Sequence, residues 1–150
     1  MGASAKGNNG QPQGGFARSG RMSGKPDAGW VVDEQARAEL LRRFPPRYTN
    51  PIAHHVTAKP NPPGDETPPP AACRVVGYAD DGEGVEAMVV EMNGTTERPD
   101  GSTYHITWSL GHGRKARESN DVIHDRGWTP LPEPVPVPVT PSRFDWRDPV

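Results

Sequence analysis

The sequence predicts a small α+β domain, a mainly antiparallel sheet with an N-terminal helix packed on one face, between disordered tails. Three observations carry this expectation. The stretch Thr103 to Leu110, TYHITWSL, alternates polar and apolar residues without a break, the period of a half-buried strand. The stretch 33–44, DEQARAELLRRF, spaces its apolar residues as one face of a helix does. The 150 residues include 17 glycines and 19 prolines and are only 32% apolar, too lean for a packed domain over the full length. The domain is therefore expected over 30–131, with a Gly-rich tail over 1–29 and a Pro-rich tail over 132–150.

Each element has its own local signal. Residues 1–29 carry eight glycines with Asn, Gln and Ser, and offer nothing to bury. In the helix, Asp33 suits the N-cap and Arg42 and Arg43 suit the C-terminal end of the macrodipole. Ala36, Leu40, Leu41 and Phe44 form the apolar face, and Pro45-Pro46 stop the run. Residues 52–59 alternate as a strand, which puts His54 on one side and His55 with Thr57 on the other. The segment 60–70, PNPPGDETPPP, is an exposed loop. Strands follow at 71–80 and 84–94, joined by the Gly-containing turn DDGEG, with Cys73 buried at a strand start.

The TYHITWSL strand then turns Tyr104, Ile106, Trp108 and Leu110 to the core. Thr103, His105, Thr107 and Ser109 share an open polar face. Beyond it, Ser119 or Asn120 suits the cap of a short helix, and Trp128 packs the returning chain onto the sheet. Residues 130–139 have proline at every second position, an extended polyproline-like segment and a candidate docking site for a protein partner.

The balance of charge and cysteine narrows the function classes. A net charge of −2 gives no global basic signature for duplex nucleic acid, although a local anion site is compatible with it. One cysteine permits neither an intrachain disulfide nor a Cys-based zinc site. No apolar run is long enough to span a bilayer and no signal-peptide centre is present, so a cytoplasmic protein without a membrane role is expected. Met1-Gly2 lacks the Ser or Thr that myristoylation wants at position 6, where Lys6 stands.

The chemistry concentrates in a repeated triplet. His55-Val56-Thr57 and His105-Ile106-Thr107 each place an imidazole and a hydroxyl on one face of a strand. Two imidazoles and two hydroxyls suit the opening of a cyclic phosphodiester. One histidine takes a proton from water while the other protonates the leaving alkoxide. Histidines with pKa values near about 6.5 can fill both roles at neutral pH, one neutral and one charged. Threonine hydroxyls supply donors for the phosphoryl oxygens, and no metal or other cofactor is needed.

The paired motifs HVTA and HITW resemble the signature of the 2H phosphoesterases, which carry two His-x-Thr/Ser motifs on strands of a bilobal sheet. The flanking RYTNPIAHHVT and STYHITWSL are most similar to the small Swiss Army Knife modules of RNA repair. The likeness spans about residues 33–131. The resemblance implies a reduced 2H-like fold and metal-independent hydrolysis of a 2′,3′-cyclic phosphate or related cyclic phosphodiester. The substrate would be a nucleotide or an RNA end. His55 and His105 would be the catalytic acid and base, in an order the sequence leaves open, and Thr57 and Thr107 would hold the phosphoryl oxygens. The His55 and His105 motifs lie closer together than in the bilobal members, so a second lobe must be reduced, and Ala58 replaces a larger aliphatic residue.

Other residues carry weaker expectations. Arg114 and Lys115, with Arg117, follow the second motif and are candidate phosphate contacts. Tyr48, and Tyr78 beyond it, are candidates to stack on a base. Solvated basic residues and hairpin packing are the plain alternatives. His112 could approach from its loop, and His124 has no supporting context. A zinc site of His54, His55, His105 and His112 is disfavoured because adjacent strand histidines point apart. The alternative function is a module of the same fold that binds RNA ends or nucleotides without turnover.

Overall fold

The computed structural model describes residues 26–149. The elements run β1 (Asp27–Val32), α1 (Glu34–Arg43), β2 (Asn50–Pro51), β3 (His55–Lys59), β4 (Cys73–Asp80) and β5 (Val85–Met92). There follow β6 (His105–Leu110), α2 (Glu118–Arg126), β7 (Thr129–Val137) and β8 (Val139–Phe144). Two antiparallel sheets result, β3-β1-β8 and β2-β6-β5-β4-β7. The class is α+β, as the residue patterns predict.

Helix α1 begins as its sequence requires. The Asp33 carboxylate accepts the Ala36 N–H at 3.0 Å, and the last turn holds Arg42 and Arg43. Leu40 is buried, with Leu41 and Phe44 packed beside it. This face meets the first apolar cluster, where Trp30 and Val56 of the small sheet join Met88, Val90, Ile106 and Trp108 of the large one. The opposite face of the large sheet carries Val85, Ala87 and Val89 against Val122 and Ile123 of α2. The central strand β5 is thus buried on both faces, which explains its near-continuous apolar run.

Both tail expectations change at their inner edges. Of the Gly-rich tail over 1–29, only 26–29 lie among the described residues, and Asp27 already opens β1. Gly29 is required there, since a Cβ at this position would lie 2.1 Å from the Val56 carbonyl oxygen. The Pro-rich tail over 132–150 is a larger correction. Its residues supply most of β7 and all of β8, one strand to each sheet. It is therefore neither a free tail nor an unpaired polyproline segment.

The alternating prolines of 130–139 suit this position. Every second residue lacks an N–H, and in a strand those positions all face the same edge. Strand β7 lies at the margin of its sheet, with Val135 and Val137 opposite Val75 and Cys73 of β4. The missing donors fall on the outer edge, and the valines between the prolines are buried. Cys73 is buried as expected, and burial pushes its thiol up to about 12. Trp128 packs over Gly77, where a Cβ would lie 2.0 Å from the indole.

Two expectations within β6 are also revised. Glu86 of β5 faces Ser109 while the next residue, Ala87, faces Thr107. Trp108 is the extra residue of a bulge, so Thr107 and Ser109 lie on opposite faces. Ser109 Oγ donates to Glu86 Oε1 at 2.6 Å, away from His105. The second revision is that Thr107 is buried, because Ala116 and Ser119 at the start of α2 cover its hydroxyl. Ser119 is a fully buried residue of that helix, not its cap.

Candidate active site

Strands β3 and β6 carry the two His-x-Thr motifs, and they belong to different sheets. A short run of chain joins them. Ile52 and Ala53 donate their N–H groups to the carbonyls of Trp108 and Thr107, at 2.8 and 2.9 Å. Ala53 then takes φ 47°, and the chain leaves β6 to enter β3 of the other sheet. The two motifs therefore diverge from a common point, and a cavity of about 210 Å³ opens between them.

All four motif side chains, His55, Thr57, His105 and Thr107, line that cavity. His105 Nδ1 lies 2.8 Å from the Thr103 carbonyl oxygen. A carbonyl only accepts, so Nδ1 carries the hydrogen and, in the neutral ring, Nε2 is the accepting nitrogen. His55 Nδ1 lies 3.1 Å from His54 Nδ1, so one of these two rings donates and the other accepts. His54 was expected on the opposite side of the strand. It lies instead beside His55, with ring centroids 5.3 Å apart, because it precedes the strand and follows the left-handed Ala53.

Enclosure sets the protonation of the pair. Burial, then the neighbouring His54 and His105, lowers His55 to about 3. Burial also lowers His105, against the hydrogen bond to Thr103, and Arg98 adds to the effect. Both imidazoles are therefore neutral at neutral pH in this structure. The expected division into one neutral and one charged ring requires an anion in the cavity to raise one of them.

The hydroxyls differ from each other. Thr57 Oγ1 has no hydrogen-bond partner among the described residues. Thr107 Oγ1 donates to the Ala116 carbonyl at 3.2 Å and meets Ser119 Oγ at 2.9 Å, which ties β6 to the loop before α2.

Three predicted substrate contacts lie elsewhere. Arg114 bonds to Asp81, Glu118 and the Glu83 carbonyl, pinning the α2 loop to the β4–β5 turn. The exposed Lys115 gives its backbone N–H to Glu118, at the start of α2. Tyr48 turns its hydroxyl to Asp80, 2.7 Å away, and its N–H to Ser109. None of the three lines the cavity. Of the basic cluster, Arg117 does. His112 is exposed outside it, and His124 is an exposed partner of Asp125.

Sequence reasoning missed Arg98, Asp27, Trp146 and Asp148, all of which line the cavity. Arg98 is buried, is gripped by Asp100 through Nε and Nη2, and donates through Nη1 to the Thr57 carbonyl at 3.3 Å. Its one legible signal is the Arg-Pro-Asp-Gly turn at 98–101, in which Asp100 is well placed to grip the guanidinium. Asp27 accepts the Asn61 N–H, and burial raises its carboxyl. Among the described residues no group of three or more His, Cys, Asp or Glu side chains is placed to hold a metal ion. No described helix is long and apolar enough to cross a membrane. No family model, curated protein or solved structure matches the chain.

Proposed function

We propose that the protein is a phosphoesterase that opens a 2′,3′-cyclic phosphate, or a related cyclic phosphodiester, on a nucleotide or RNA end, using two histidines and no metal. The observation that carries this reading is the convergence of both His-x-Thr motifs, from strands of two different sheets, on one cavity. Two unrelated surface triplets have no reason to share a cavity across two sheets.

The proposed reaction assigns each step to a side chain that lines the cavity. One imidazole takes a proton from water as the water oxygen attacks phosphorus. The bond from phosphorus to one ribose oxygen breaks, and the other imidazole, protonated, delivers a proton to that oxygen. The product is a phosphomonoester. Thr57 has its hydroxyl available for a phosphoryl oxygen, and the guanidinium groups of Arg98 and Arg117 favour an anion in the cavity. At about 210 Å³ the cavity is smaller than a pocket that encloses a whole drug-sized ligand, so only the phosphate end of a larger substrate would enter it.

A second reading, binding of such ends without turnover, is favoured by the neutral state of both histidines and the engaged Thr107 hydroxyl. Hydrolysis of 2′,3′-cyclic nucleotides and of cyclic-phosphate-ended RNA in EDTA separates the two. Turnover that survives EDTA and drops at least about a hundredfold in both His55→Ala and His105→Ala supports the enzyme. Turnover indifferent to both substitutions overturns it, and tight binding without product points to the binding module.

A further inference from the structure

The segment after β8 places a carboxylate where the proposed reaction needs a substrate anion. Asp148 lines the cavity, and its Oδ1 accepts the Ala116 N–H at 2.7 Å. Trp146 Nε1 donates to the same oxygen at 3.3 Å. The Trp146 ring lies 5.2 Å from that of His54 and 5.4 Å from that of His55, between centroids. Phe144, the last residue of β8, lies 4.3 Å from the His55 ring. One short stretch of chain therefore covers the first motif and puts a negative charge into the cavity beside the second.

Ala116 connects the two halves of this arrangement. Its carbonyl accepts the Thr107 hydroxyl, and its N–H is held by Asp148. The residue that anchors the second motif thus presents its one backbone donor to an anionic oxygen. Arg98 and Arg117 line the same cavity, and Arg98 uses only part of its five N–H groups on Asp100 and Thr57. A backbone N–H and two arginines lining one cavity, which Asp27 also lines, make up a donor set that a phosphoryl oxygen can take. A carboxylate oxygen has the same charge sign and the same accepting geometry.

We propose that Asp148 is a built-in competitor of the anionic substrate. Its carboxylate occupies, at the Ala116 amide, the subsite of a phosphoryl oxygen, and the segment with Trp146 moves off the histidines when a phosphate ester binds. This rests on the phosphoesterase reading of the cavity. It adds a ligand class, a phosphomonoester or phosphodiester oxyanion, and a named donor to that site. A tethered competitor weakens the apparent affinity by the fraction of molecules in which it is bound.

The experiment is a calorimetric titration of the full chain with inorganic phosphate and with a nucleoside 2′-monophosphate, each variant first checked for folding by circular dichroism. Asp148→Ala is expected to bind both ligands about tenfold more tightly than the unchanged protein. Asp148→Asn keeps an accepting oxygen for the Ala116 N–H without the charge, and is expected to fall between the two. The change in tryptophan fluorescence on phosphate binding is expected to disappear in Trp146→Phe. Equal or weaker affinity in both Asp148 variants overturns the proposal, as does a fluorescence response that persists without Trp146 or an absence of binding by every variant.

Turnover of 2′,3′-cyclic nucleotides, measured in parallel, separates this failure from that of the enzyme. Tighter phosphate binding in the variants with no turnover by any of them leaves the subsite standing and removes the phosphoesterase. Turnover by the unchanged protein without tighter binding in the variants does the reverse.

Discussion

His54 and His55, adjacent in sequence, meet through their Nδ1 atoms at 3.1 Å. A regular strand would point these rings to opposite faces. The left-handed Ala53 and the start of β3 at His55 bring them together. With Nδ1 of His55 engaged, Nε2 is its remaining ring nitrogen, as it is in His105. The two histidines therefore reach that state by different means, one through a second imidazole and the other through a backbone carbonyl.

In the proposed mechanism His54 is accordingly a positioning residue. Replacing it with Phe removes the Nδ1 partner and is expected to lower kcat about tenfold, the lower end of the usual cost of losing a group that orients a reacting histidine. Asn can present a polar atom near the same place and is expected to restore most of that loss. The electrostatic pressure of His54 on His55 also vanishes in both variants, so the His55 titration should move up in each. Steady-state kinetics with histidine NMR checks the set. Equal losses in Phe and Asn, with no change in titration, would mean that His54 only fills space.

If the proposed mechanism holds, the pH profile follows from the lowered pKa values of His55 and His105. The base must be neutral and the acid protonated, so kcat/KM reports the pKa values of the free protein. Its bell is expected on the acid side of the ordinary histidine value of 6.5. A bound phosphate anion favours the protonated rings, so the kcat bell should lie at higher pH than the kcat/KM bell. Initial rates on a 2′,3′-cyclic nucleotide from about pH 4 to about pH 9, about 2.5 units either side of the ordinary histidine value, test the order of the two bells, and the reverse order would refute the electrostatic account.

The same lowered values bear on stability. Below the ordinary histidine value of 6.5 the unfolded chain binds protons that the folded His55 resists until about pH 3. Stability therefore rises with pH across this window, and what His55 contributes above 6.5 is lost as the pH falls through it. His105 acts in the same direction. Thermal melts from pH 7 downward are expected to show Tm falling, and His55→Gln should flatten the decline (a window of about 3 to 7 follows from linkage). An unchanged slope in that variant would show that other groups govern the acid limb.

The bulge in β6 predicts a contrast between two hydroxyls two residues apart. Ser109→Ala strips the buried Glu86 of a donor and is expected to cost about 1–3 kcal/mol of stability with no loss of kcat. Thr107→Ala releases the loop before α2 and removes a cavity hydroxyl, so it should lower turnover as well as stability. Urea melts paired with kinetics distinguish the two. A catalytic loss in Ser109→Ala would place its hydroxyl on the reacting face after all.

Much of this arrangement was legible because its signals are local. The Asp33 cap, the apolar face of α1, the Gly-containing turn before β5 and the His-apolar-Thr triplets each depend on neighbours a few residues away. Where local rules failed, a distant partner or an irregular residue had intervened. Alternating prolines in 130–139 read as an unpaired extended chain, since nothing in that stretch names β4 as its neighbour. The short, Gly-containing β1 showed no alternation of its own and is a strand because β3 and β8 flank it. Ala53 and the Trp108 bulge each shift the side-chain alternation by one residue, which misplaced His54 and Ser109. Arg98, Asp27 and Asp148 reach the cavity from three separate parts of the chain, and no spacing rule connects them. The basic cluster after β6 lies in a loop that reaches the cavity, but acidic neighbours claim Arg114, and only Arg117 of the cluster lines the cavity.

The central place of β1 in the small sheet bears on how the molecule assembles. Asp27 pairs with Phe144, and Arg143 donates to the Pro26 carbonyl across 117 residues of chain. Closing so long a loop costs entropy before any contact repays it, and topologies rich in such contacts fold slowly. A nascent chain that has emerged only through β6 already contains both histidines, yet it lacks the strand that completes the sheet beneath His55 and the tryptophan that covers it. Synthesis of the two motifs and completion of the cavity between them are therefore separate events, the second waiting until β8 docks beside β1.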